Sequence, residues 1–120
     1  MLDTRELEIP QNLMESEWKS NKVVLTEYDT EMAGKIKSAG IRANISNAGL
    51  NGAVNLEALV VESIRVGVIE APWVVSGASV EEQRRVIAKL RNKLTSWIFR
   101  ELEEMNEVPD KKKVSSEDGV

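Results

Sequence analysis

Apolar residues change their spacing along the chain, and each spacing predicts a different element. Over residues 1–20 there is little period: Leu2, Leu7, Ile9, Leu13 and Trp18 stand among charges. Pro10 interrupts any helix and disfavours helical geometry at Ile9, so this stretch predicts an extended arm with a short strand around Glu6–Ile9. Residues 22–27, KVVLTE, are β-branched and apolar and predict a second short strand. A lone strand is not stable, and the 6–9 segment is its expected partner. From residue 29 the spacing becomes three and four: Met32, Ala33, Ile36, Ala39, Gly40 and Ala43 predict a helix over 29–46, with Asp29 as N-cap and Glu31 in the first turn. Gly34 and Gly40 each weaken it by about 1 kcal/mol relative to alanine. The Asn- and Gly-rich run 44–55 predicts a loop.

A second helix is predicted over 56–70, capped by Asn55. Leu56, Leu59, Val60, Ile64, Gly67 and Val68 make one face, and Val61, Val66 and Ile69 spill onto others. A helix this apolar is buried on several sides, and its β-branched content also admits a strand over 66–69. Pro72 ends it and opens a loop, APWVVSGAS, that holds Trp73, Val74 and Val75. Ser79 and Glu82 then fit the S-x-x-E capping box of a third helix over 80–106. Val86, Leu90, Leu94 and Trp97 form its apolar row, widened by Ile87, Ile98, Leu102 and Met105. Residues 107–120 carry many charges and few apolar groups, which predicts a disordered tail. The expected fold is mainly α: three helices (29–46, 56–70, 80–106) with a short N-terminal strand pair, in one domain over 1–106.

Composition narrows the function. The chain has 120 residues, 42% hydrophobic and 30% charged, an ordinary globular balance. With no histidine and no cysteine, the commonest general base, the thiolate nucleophile and the usual zinc ligands are all missing. No enzyme activity, catalytic residue, cofactor or metal is therefore expected. The net charge of −4 argues against binding nucleic acid through a whole-protein positive field. No run approaches the ~20 apolar residues that span a bilayer, and the acidic N-terminus has no signal-peptide core. The expectation is a soluble cytoplasmic protein without membrane contact.

Three groups of residues stand out as candidate surfaces. A loop tryptophan beside two valines suits a binding hot spot, so Trp73, Val74 and Val75 are candidates for partner contact, together with Trp97, Ile98 and Met105 on the last helix. The alternative for the tryptophans is core packing. Arg84, Arg85, Lys89, Arg91 and Lys93 form a basic cluster, in which Arg85, Lys89 and Lys93 share a stripe at i, i+4, i+8. That stripe could contact phosphates or an acidic partner, or be a solvated helix face. The carboxylates Glu81, Glu82, Glu101, Glu103 and Glu104 lie on helix-surface positions without a metal-ligand pattern.

The order of parts resembles the tail assembly chaperones of long-tailed bacteriophages. A strand runs into a helix in KVVLTEYDTEMAGKIKSA, and a middle helix ends in a proline turn in VVESIRVGVIEAPWV, with VGVIEAP at 66–72 matching the family's valine-rich junction. An acidic helix start follows in GASVEEQRRVIAKL, and KKK at 111–113 sits where a slippery codon run shifts the reading frame in that family. The resemblance implies a protein absent from the finished virion, acting in the host cytoplasm, that binds the tape measure protein, keeps it soluble and promotes tail tube assembly. A longer frameshifted form would recruit the tail tube protein. Homo-oligomers are also expected. A Trp73→Asp change is expected to spare the fold and abolish client binding. Two other readings compete: a structural tail completion or connector protein, and a small DNA-binding regulator using helix 80–105.

Overall fold

Alternation in the segment Lys22–Thr26 sets the architecture. Val23 and Leu25 are fully buried on one face of this strand, while Lys22 and Val24 lie on the other. In the computed structural model, which describes residues 2–48 and 56–107, this strand (β2) is the centre of a three-stranded antiparallel sheet in the order β1-β2-β3. β1 is Thr4–Glu8, paired so that Leu7 faces Val23 and Arg5 faces Leu25. β3 is Val68–Glu70, paired with a bulge opposite Val24 and Leu25 that leaves Ile69 exposed. Pro10 opens a single 3₁₀ turn, Gln11–Leu13, that tucks Leu13 into the core.

Among the described residues there are four helices, and the second packs on the other three and on β3. α1 spans Thr30–Ala48, and Asp29 caps it as expected, its Oδ1 accepting from the Met32 amide at 2.8 Å. The helix continues past the predicted end at 46: once nucleated, each further residue costs only a few tenths of a kcal/mol, even for asparagine and serine. Residues 44–48 of the expected loop are therefore helical, and 49–55 lie outside the described residues. α2 spans Leu56–Gly67 and passes directly into β3, the strand that the β-branched run allowed. Leu56, placed on the buried face by periodicity, is instead 70% exposed at the start of α2.

The expected helix 80–106 is two helices, α3 (Val80–Ala88) and α4 (Asn92–Met105). Between them the Leu90 amide closes a tight turn on the Ile87 carbonyl at 3.1 Å, and Arg91 is extended (φ −59°, ψ 139°). No glycine or proline marks this break. A tertiary contact accompanies it: the Arg91 guanidinium donates to the carbonyls of Asn12 and Met14 at 3.1 and 3.0 Å, drawing the chain toward the arm. The capping box at Ser79 is present, with its hydroxyl accepting from the Glu82 amide at 3.1 Å.

Apolar burial joins these elements around one core of Val23, Leu25, Ile64, Leu94, Ile98 and Leu102, all fully buried. Each such side chain contributes roughly 1.5–3 kcal/mol relative to exposure. Gly67 lets α2 and α4 meet closely: a Cβ there would lie 2.7 Å from Leu102 Cδ2 and 3.0 Å from Tyr28 Cε1. Burial pushes the Tyr28 phenol up to about 12, and its hydroxyl donates to the Ser63 carbonyl at 3.5 Å. No helix among the described residues is long and apolar enough to cross a membrane. The predicted tail lies, after Glu107, outside the described residues.

Candidate protein-interaction site

The loop between β3 and α3 turns twice. The Val74 amide donates to the Ala71 carbonyl at 3.1 Å and the Ala78 amide to the Val75 carbonyl at 3.3 Å, with Gly77 at φ 81°, a conformation that favours glycine. These turns point its large residues in opposite directions. Trp73 is only 8% exposed, and its ring packs on Trp18 of the arm with centroids 5.7 Å apart. Val74 and Val75 are 46% and 59% exposed, and Val80 at the start of α3 is 43% exposed. The tryptophan is thus a core anchor that fixes the loop, and the valines are the part a partner can reach.

The valines rim a cavity of about 210 Å³ between the loop, α2 and α3, walled by Ile64, Val68, Val86 and Ile87. Arg65, Glu82 and Gln83 are the polar side chains that line it. Behind it lies an ion network. Glu62, 3% exposed on α2, accepts from Arg65 one turn later and from Arg84 of α3, whose Nε and Nη2 lie 2.9 and 3.3 Å from its two oxygens. Burial pushes the Glu62 carboxyl up, but the hydrogen bonds and charges of Arg65 and Arg84 outweigh it and hold it at about 2. Arg65 Nε is the one buried side-chain polar atom without a hydrogen-bond partner among the described residues. A second cavity, of about 380 Å³, lies on the far side of Ile87, lined by Leu56, Val60, Val61 and Leu90.

The other residues singled out from the sequence do not form one surface. Ile98 is fully buried at the centre of the core, and Trp97 and Met105 are half-buried against it. Ile98, fully buried in the core, presents no surface to a partner, whereas Trp73, although mostly buried, lines the cavity that Val74 and Val75 rim. Arg85, Lys89 and Lys93 are exposed, but Lys89 ends α3 and Lys93 belongs to α4, so the break removes their common helical stripe. Two other members of the basic cluster, Arg84 and Arg91, are engaged within the molecule, as described above. Among the described residues no group of three or more acidic side chains is placed to hold a metal ion.

Sequence reading missed the ion network. Its signal was present, an acid and a base at i, i+3 inside an otherwise apolar helix, but Arg84 was hidden among neighbours that do face solvent. In comparisons with protein-family models, curated proteins and solved structures, the chain matches none.

Proposed function

We propose that this chain binds another polypeptide as an assembly chaperone, of the kind that holds a phage tape measure protein soluble while the tail tube forms. The observation that carries this reading is the exposed pair Val74 and Val75 at the rim of a cavity walled by Ile64, Val68, Val86 and Ile87, with Val80 exposed at the start of α3. Branched aliphatic side chains at the mouth of an apolar pocket lose contact with water when a client side chain enters, and this drives association without any requirement for bond chemistry. The absence of histidine and cysteine from the chain fits the same reading. A longer form extended past the lysine run would bring the tail tube protein to the same client.

Val74→Asp/Val75→Asp is the variant that tests it, in place of Trp73→Asp, which would strike the core. Co-expressed with a tape measure protein, the wild-type chain keeps that client in the soluble fraction and the double variant does not, although its circular dichroism matches wild type. If the folded double variant solubilises the client equally well, the valine rim is not the contact surface.

A further inference from the structure

α3 is held unlike its neighbours. α2 and α4 each bury four residues, whereas α3 buries one, Ile87. It packs chiefly on α2, through Ile87 and through the ion pair from Arg84 to Glu62. A cavity lies on either side of it, and Ile87 lines both. At its ends stand the loop with Gly77, where an added Cβ would meet nothing within 4 Å, and the turn at 89–91. Along α2 the two cavities are lined by Val60 and Val61 on one side and by Ile64, Arg65 and Val68 on the other, and α3 covers the trough that these residues mark out.

We propose that α3 is a displaceable cover of this trough, and that its replacement is a partner helix carrying a basic residue three positions before a branched aliphatic one. The trough itself dictates this chemistry. Ile87 leaves an apolar socket, and the departure of Arg84 leaves the buried Glu62 carboxylate short of one of its two cations. A displacing helix must restore both, because a buried charge stripped of a partner is costly. The positions of Arg84 and Ile87, i and i+3 on one helix face, give the spacing. This inference deepens the client-binding reading and rests on it for the existence of a client helix.

The test needs only this chain and a synthetic peptide of its own residues 78–91. In the wild-type full chain, amide hydrogens of α3 exchange at least ~100-fold faster than those in the middle of α2 and α4, because the cover opens without global unfolding. The peptide binds an Ile87→Asp variant, whose resident helix is loosened, at least ~10-fold more tightly than it binds wild type, where α3 competes. A peptide carrying Arg84→Glu does not bind. Should Ile87→Asp fail to fold, Arg84→Ala serves as the loosened chain. Equal protection of all three helices, or equal binding of the two peptides, overturns the proposal. Neither readout involves a client, so that result would leave the valine rim to be judged by client solubility alone.

Discussion

Glu62 is the one charged residue that is buried among those described. Its carboxylate lies at 3% exposure yet stays ionised, because two guanidinium groups meet it from different helices. Its carboxyl is lowered from the ordinary 4.5 to about 2, so folding is favoured wherever Glu62 is ionised in both states. That contribution is complete above 4.5 and is lost as the pH falls through about 2. Glu62→Gln is expected to lower stability at neutral pH by about 3 kcal/mol, since it leaves the half-buried Arg65 beside an uncharged partner. It is also expected to flatten the loss of stability between pH 4.5 and about 2. Urea titrations of both chains across that window check the prediction, and parallel pH profiles would refute it. None of this was visible from charge counting, because burial decides whether a carboxylate matters, and burial is a property of the packed molecule.

At the scale of elements, periodicity located the strands and helices, and local close approach decided their ends. Of the expected main row Val86, Leu90, Leu94 and Trp97 only Leu94 is fully buried, and Ile98 and Leu102, expected to widen it, complete the core. β2, the Asp29 cap and the Ser79 capping box follow directly from residue type and spacing. The division of α3 from α4 does not, since Lys89–Leu90–Arg91 contains no helix breaker and the turn coincides with a contact to residues 12 and 14, some 77 to 79 positions away. Two glycines test the distinction between local and tertiary control. Gly34 in α1 has nothing within 4 Å of an added Cβ, so Gly34→Ala is expected to stabilise the chain by up to about 1 kcal/mol. Gly67→Ala offers α2 the same helical gain but drives a methyl group into Leu102, and is expected to destabilise by about 1–3 kcal/mol. Thermal melts of the two variants should move in opposite directions. A shared direction would mean that helix propensity alone governs both sites.

For the whole molecule, the decisive ties run between the two ends of the chain. The Tyr28 amide, just after β2, donates to Asn106 Oδ1 at 2.7 Å, and Asn106 Nδ2 donates back to the Leu102 carbonyl at 3.0 Å, so one side chain closes α4 and fastens it to the sheet. Arg91 fastens the other end of α4 to the arm. The overall class was legible because apolar spacing fixes which elements exist. The way the N-terminal sheet meets the C-terminal helix was not legible, because it depends on a single asparagine whose sequence context suggests only a helix end. Asn106→Ala removes the acceptor of a half-buried amide and the helix-closing donor together, at an expected cost of about 1–2 kcal/mol. Asn106→Asp keeps the acceptor but sets a negative charge at the C-terminus of α4, where the helix dipole disfavours it, and is expected to fall between alanine and wild type. If sheet and helices form one cooperative unit, the unfolding midpoints read by tryptophan fluorescence, from Trp18, Trp73 and Trp97, and by far-ultraviolet circular dichroism will shift together in both variants. Separate midpoints for the two probes would show that α4 unfolds apart from the sheet, and the packing of Trp73 on Trp18 would then have to hold the arm and loop without it.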